Sequence, residues 1–366
     1  MVSVRFRNTI GTRVAKPVSA ASSGRYECME GTVFLGSCAL GSLVGIPGLV
    51  MYSGGTLKRL WGDLVVFLVT VAGLLAITVA FQAIRPEFGM FVAIISTAVC
   101  LSLAAMLENL GVRFRSRVIS ALIVLGLVIT PLELLIFWRN GTWFYQTFGA
   151  LDYGGAAAIG VGAGVAVIAI LFRNRRMQTA SNSKRTDSSF STFVGALLFC
   201  AAVLVLCIGF ELQWDELSPT IIANQVSMAL SSGLAASAIE RIAKARNTIL
   251  GVSRGMVAGS IAALASCAYL EFVPGVLVGL LTGAITEYCS RNDRQTLGLP
   301  LAIGGVTGLL LLGLFATQTG FVYSGQLTLF VTQAIFVLLA ITVGLIVGII
   351  VWLLLKRFSL PELRTK

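Results

Sequence analysis

Three ionisable side chains, Glu133, Asp152 and Arg254, stand within otherwise apolar runs of this chain. A charge in such surroundings is costly, so each needs a partner, a bound cation or a proton. Glu133 therefore has two readings, a proton or cation site and a locally paired carboxylate. Asp63, Glu108, Glu240 and Glu287 fall at the ends of apolar runs, where snorkelling or pairing with loop cations accounts for them. Trp138, Trp143 and Trp214 lie near the ends of other runs. They suit an interfacial aromatic belt or, alternatively, a vestibule that holds a small cation over aromatic faces.

Other chemistry is excluded. The 366 residues contain no histidine, which removes histidine metal sites, histidine general bases and Ser-His-Asp triads. The cysteines (Cys28, Cys38, Cys100, Cys200, Cys207, Cys267 and Cys289) form no C-x-x-C pair and read as small buried hydrophobes. Glycine-rich phosphate or dinucleotide motifs are missing, because the glycines lie inside apolar runs rather than at strand-to-helix turns. The chain reads as a non-enzyme with no cofactor and no metal.

The elements that must position these groups are eleven apolar segments, roughly Gly31–Tyr52, Leu64–Ile84, Phe88–Leu107, Val118–Trp138, Gly149–Phe172, Phe190–Phe210, Leu217–Ile239, Ile249–Leu270, Phe272–Tyr288, Leu297–Thr317 and Leu327–Leu355. Most are about 20 residues, the length at which an α-helix crosses roughly 30 Å of hydrocarbon. Water is absent there, so backbone groups pair within each segment, as a helix does. The expected fold class is an all-α polytopic membrane protein.

Positive charge sorts the loops. One set of alternate loops holds Lys58 and Arg59; Arg113, Arg115 and Arg117; Arg173, Arg175, Arg176, Lys184 and Arg185; Arg241, Lys244 and Arg246; Arg291 and Arg294; and the tail residues Lys356, Arg357, Arg364 and Lys366. The opposite loops hold only Arg85 and Arg139. The basic side faces the cytoplasm in a cell membrane, which puts the C-terminus inside and, after eleven crossings, the N-terminus outside. The basic N-terminal tail (Arg5, Arg7, Arg13, Lys16 and Arg25) opposes this. If the first segment, interrupted by Pro47 and glycines, did not cross, that tail would lie inside. The net charge of +11 thus reads as topology and not as nucleic-acid binding.

The expected organisation is a disordered basic tail over 1–29, a membrane domain over 30–357 and a short cytoplasmic tail over 358–366. Residues 1–29 have no apolar stretch of signal-peptide type. Within the membrane domain, halves 31–172 and 190–317 are joined by the Ser/Thr/Asn-rich connection Arg173–Ser189 and followed by a final helix over 327–355. Each half contains five segments, so the two have opposite topologies. The fifth segment of each carries a similar run, Ala158-Ile159-Gly160-Val161-Gly162-Ala163-Gly164 and Ala302-Ile303-Gly304-Gly305-Val306-Thr307-Gly308. Small residues let helices approach closely in lipid, and paired special helices in inverted halves are what a transporter places around a substrate path. The final segment, at 29 residues, is roughly 43 Å long and must tilt or project.

Several motifs resemble the ammonium transporter (Amt/Rh/Mep) family, from about residue 30 to 357. Pro47-Gly48-Leu49 with Tyr52-Ser53-Gly54-Gly55 resembles the end of the family's opening helix. Gly149-Ala150-Leu151-Asp152-Tyr153-Gly154-Gly155 resembles the start of its fifth. Asn247-Thr248-Ile249-Leu250-Gly251 with Gly255-Met256-Val257-Ala258-Gly259 resembles its eighth, and Gly304-Gly305-Val306 with Gly313-Leu314-Phe315-Ala316 its tenth. The resemblance implies a five-plus-five inverted repeat with an extra C-terminal helix and a homotrimer with one narrow pore per subunit. It further implies an outer aromatic site for ammonium, two stacked phenylalanines, and a pair of facing pore histidines.

This chain departs from that pattern. The histidine positions fall at Gly160 and Leu301. Of the two gate phenylalanines, Phe210 is retained and the other aligns with Ile94. Asp152 and Trp138 complete the substrate path that the resemblance implies. The cytoplasmic tail is too short for the family segment that docks a PII-type regulator. With Gly and Leu in place of two imidazoles, no side chain at mid-membrane replaces a cation's water shell. The expected function is a channel or transporter for ammonium/ammonia or a similar small solute through a narrow apolar pore. The alternatives are a transport-silent sensor or accessory subunit on the same fold, and a channel for another solute. Gly160 and Leu301 are expected to face each other, with the glycine adding width where the leucine removes it.

Overall fold

The structure, a computed structural model, describes residues 34, 37, 38, 40–53, 86–109, 112, 114–137, 149–172, 189–211, 214–242, 248–290 and 297–358. The segment Leu64–Ile84, the residues 1–33, the residues 173–188, the tail after 358 and Trp138 lie outside the described residues.

All regular structure among the described residues is helical. Helix α1 spans Gly45–Tyr52, α2 Pro86–Asn109 and α3 Phe114–Val124, which passes through a π-helical turn, Leu125–Ile129, into α4, Thr130–Phe137. A second π-helical turn, Ala157–Gly162, leads into α5, Ala163–Phe172. Then follow α6 (Ser189–Phe210), α7 (Ser218–Ile242), α8 (Thr248–Ser266), α9 (Phe272–Ser290), α10 (Gly298–Phe315) and α11 (Thr328–Phe358). Every expected span except Leu64–Ile84 contains described helix. Six of these helices are long and apolar enough to cross a membrane, and Leu40–Tyr52, Phe91–Leu107 and Ala157–Leu171 are shorter apolar helices. Helix α7 is long but more polar, with Asn224, Gln225, Ser231 and Ser232 turned inward and buried.

The fifth span differs from its expected limits. Residues 149–155 form a non-helical turn in which Gly149 and Gly155 have left-handed φ of 72° and 81°. Only glycine adopts these angles without strain, so the helix starts about two turns later than the apolar pattern suggests.

Two packing regimes follow from side-chain size. Outward faces of α9 and α11 carry Val273, Leu277, Leu281 and Ile285, and Val331, Ile335, Leu338 and Ile346, all exposed. In water such rows would be unfavourable, and hydrocarbon is their natural solvent. Inward faces carry small residues that bring backbones together: a Cβ at Gly348 of α11 would lie 2.7 Å from the Ala166 carbonyl oxygen, and one at Gly164 would lie 2.6 Å from the Ala302 nitrogen.

The buried charges in the later helices form one cluster. Arg254 of α8 donates from Nε to Glu287 Oε2 at 3.0 Å and from a terminal nitrogen to Glu287 Oε1 at 2.7 Å. The same nitrogen lies 3.6 Å from Glu240 Oε1 of α7. Glu240 Oε2 accepts the Gly251 N–H at 3.0 Å, near the start of α8. Snorkelling or pairing with loop cations, the expectation for Glu240 and Glu287, is therefore replaced by a buried pairing with Arg254 of α8. A bidentate guanidinium–carboxylate contact satisfies both charges without water, which a lysine would not do.

Candidate functional site

The two glycine-rich helices cross in direct backbone contact. Gly160, in the π-helical turn, is buried, and Leu301 of α10 has no exposed surface. A Cβ built at Gly160 would lie 2.7 Å from Ile261 Cγ2, 3.0 Å from Gly305 Cα and 3.1 Å from the Leu301 carbonyl oxygen. The two sequence-aligned positions thus meet, through the glycine Cα and the leucine backbone. The width expected at the glycine is not there: Ile261 of α8 takes the space a side chain would occupy. Below it, a Cβ at Gly298 would lie 2.8 Å from the Gly164 carbonyl oxygen, so the helices stay in contact for a further turn. The surroundings are apolar, with Ile159, Val161, Ile261 and Leu301 all fully buried.

An aromatic cluster covers the N-terminal side of this crossing. The Phe210 ring meets Phe91 at 5.5 Å between centroids, tilted by 51°. Tyr153 packs edge-on against Phe210 at 6.2 Å and against Tyr269 at 6.0 Å, the separations favoured by offset and T-shaped aromatic pairs. The residue of α2 that stacks on Phe210 is therefore Phe91 and not Ile94, which is half-buried one helical turn further along. Phe91 also occupies the space over Gly209, where a Cβ would come 2.5 Å from its ring. The Tyr153 hydroxyl lies 2.8 Å from the Cys207 carbonyl oxygen and 3.0 Å from Glu211 Oε2, two acceptors that share its single proton. Glu211 stands just beyond the end of α6, where burial raises its pKa above the ordinary 4.5; the Tyr153 hydrogen bond opposes that shift and nearby Asp215 adds to it.

Asp152 does not face the crossing as a free carboxylate. Its Oδ1 accepts the N–H groups of Gly155 (3.1 Å) and Ala156 (2.9 Å), and its Oδ2 that of Ala157 (2.7 Å). It satisfies the donors that a helix start leaves open. The turn is further tied to the end of α8, since Tyr153 N–H donates to the Ala265 carbonyl and Gly154 N–H to that of Leu264. Trp138 lies outside the described residues, and Trp214 is exposed in a non-helical segment.

Three participants escaped the sequence reading. Ile261 carries no signal, because one more isoleucine in an apolar helix is unremarked until a neighbour lacks a side chain. Phe91 differs from Ile94 by three residues, so both fall on one helix face and an aromatic type was the available clue. Tyr269 lies just after α8, where neither periodicity nor a motif marks it.

A bundle of apolar helices, two of them glycine-rich and crossing in backbone contact beside an aromatic cluster, defines a polytopic α-helical membrane protein. Residues 111–366 match the Ammonium Transporter Family, and the chain belongs to it. It is 27% identical over 243 residues to an ammonium transporter of Bacillus subtilis (strain 168), covering 63% of this chain and 57% of that protein. It is 24% identical over 226 residues to ammonium transporter Amt2 of Archaeoglobus fulgidus, covering 56% and 48%. The chain thus spans about half the length of the curated relatives it matches. Its fold is similar to that of a solved structure described as a sensor Amt protein, with a TM-score of 0.76 and 16% identity over 92% of this chain and 95% of that one. It is likewise similar to Saccharomyces cerevisiae Mep2, with a TM-score of 0.73 and 17% identity over 91% and 89%.

Proposed function

We propose that this chain is a divergent channel of the ammonium transporter family that passes ammonia, or a neutral solute of similar size, through an apolar path beside the Gly160–Leu301 crossing. The observation that carries the reading is the family match combined with the chemistry of that crossing. Ile261, Leu301 and Gly305 offer no side-chain hydrogen bond to a passing cation, so a bare ammonium ion would face its full dehydration cost while neutral ammonia would not. The Phe91–Phe210 pair and Tyr153 form the aromatic cover over the path. Ammonia permeability of proteoliposomes, read from the rate of lumenal alkalinisation in an ammonium gradient, tests this: several-fold above protein-free vesicles is expected, and no increase contradicts it.

A second reading, a transport-silent sensor on the same fold, is favoured by one observation: the space at residue 160 is filled by Ile261. It predicts a saturable ammonium-dependent stabilisation with no permeability.

The chain is a multi-pass membrane protein. The loop charges support a cell-membrane placement with an external N-terminus and a cytoplasmic C-terminus, with halves 31–172 and 190–317 of opposite orientation and a final helix over 327–355. Cysteines introduced near Arg13 and Thr365 are expected to label from opposite sides. Family resemblance supports a homotrimer, and native mass in mild detergent is expected to correspond to three chains.

A further inference from the structure

We infer that Glu133, Thr130 and Gln333 form, against the Asp152 turn, a buried site for one small monovalent cation held by oxygen donors. Glu133 is fully buried in α4, and neither carboxylate oxygen has a hydrogen-bond partner. It is the one acid of this bundle interior left so: Glu287 and Glu240 share Arg254, and Asp152 accepts three backbone N–H groups, among the described residues. The carboxylate reaches the turn through Gly155, whose left-handed φ and missing Cβ leave the position that both Glu133 oxygens occupy. The Gly155 N–H bonds Asp152. A single residue's backbone therefore separates the two acids.

Gln333 of another helix reaches the same turn, and Thr130 stands on α4 one turn before Glu133. Gln333 of α11 has no exposed surface, and its amide nitrogen donates to the Leu151 carbonyl at 2.6 Å. That acceptor fixes the amide orientation and leaves Gln333 Oε1 buried without a partner. Thr130 lies one turn before Glu133 on the same helix face, and its buried hydroxyl oxygen is also unpartnered. Two of the three helices that bound the site carry a π-helical turn, Leu125–Ile129 and Ala157–Gly162, and these pack together: a Cβ at Gly162 would lie 2.8 Å from Val128 Cγ1. Such turns recur at functional sites.

The charge is set by subtraction. Asp152 is balanced by its three N–H donors and the helix start, so one negative charge, that of Glu133, remains for one positive charge. Oxygen donors of carboxylate, hydroxyl and amide type suit a hard cation such as sodium, potassium or ammonium. The inference does not depend on transport, because a silent chain would bind the cation equally.

The test uses the full chain purified in detergent with choline as the only cation. Unfolding temperature is then measured during titration with sodium, potassium and ammonium chloride. At least one is expected to raise it saturably, and Glu133→Gln to abolish the rise. Thr130→Val, near-isosteric and expected to fold, should shift the titration midpoint at least threefold upward. Crystals or particles loaded with thallium(I) should show one site at Glu133. No saturable rise with any of the three salts, or an unchanged midpoint in both variants, would overturn the proposal, leaving Glu133 as a protonated acid or an adventitious ion only.

Discussion

The two glycine-rich helices share a rhythm of small residues and differ in how they start and wind. Ala158–Gly164 passes through a π-helical turn that opens from left-handed glycines and the Asp152 cap. Ala302–Gly308 sits in an unbroken α-helix that begins at Gly298 with no side-chain cap. What secures the later half is instead the Arg254–Glu287–Glu240 cluster on the helices beside α10. Small residues set how closely two helices approach. What fixes each helix in place comes from a few polar groups, and those differ completely between the halves.

The largest expected effect tests the later half. Arg254→Met leaves two buried carboxylates without their cation and is expected to destabilise by about 3–5 kcal/mol. Adding Glu287→Gln to that variant should recover part of the loss, and a double-mutant cycle on reversible unfolding measures it. Equal losses with and without the second substitution would show that the cluster does not pin α8 to α9.

Close approach is tested next. A Cβ at Gly304 would press on the Ala258 carbonyl, whereas one at Gly126 meets nothing within 4 Å. Gly304→Ala is expected to cost about 1–3 kcal/mol through overpacking, and Gly126→Ala to be neutral or slightly stabilising. Similar values at both sites would remove the basis for the close approach of α10 to α8.

Asp152→Ala releases three backbone donors and should cost about 0.5–2 kcal/mol. Asp152→Asn, which keeps an acceptor, should lose less. Hydrogen exchange confined to the start of the first glycine-rich helix would localise the effect.

The smallest effect is a pH dependence. The Glu211 pKa is raised in the folded protein, so its contribution favours folding below the unfolded value and is lost as pH rises through the folded value. Glu211→Gln should therefore match the parent at pH of about 4 and be slightly more stable at about 8. Identical unfolding temperatures across that range would show that Glu211 is not held by burial beside Tyr153.

Length and hydropathy were enough to foresee the helices, because lipid imposes one rule on every span. The Gly160–Leu301 juxtaposition was also legible, from the resemblance of both segments to the family's histidine-bearing helices and from their equivalent places in the two halves. Its meaning was not: a glycine's space belongs to whichever neighbour enters it, and Ile261 comes from a third helix. Likewise Arg254 announced a charge inside an apolar run but not its partner, since Glu287 lies 33 residues on and pairs only after α8 and α9 pack. The fifth span was read too long because its apolar residues continue through Gly149–Gly155, where a left-handed backbone ends the helix.

The central claim is that the crossing passes neutral solute and rejects charge. Simultaneous recording of lumenal pH and transmembrane current from one preparation of proteoliposomes, under an inward ammonium gradient, tests it most directly. Protein-dependent alkalinisation with no accompanying current is predicted. A saturable current that scales with ammonium concentration would contradict it.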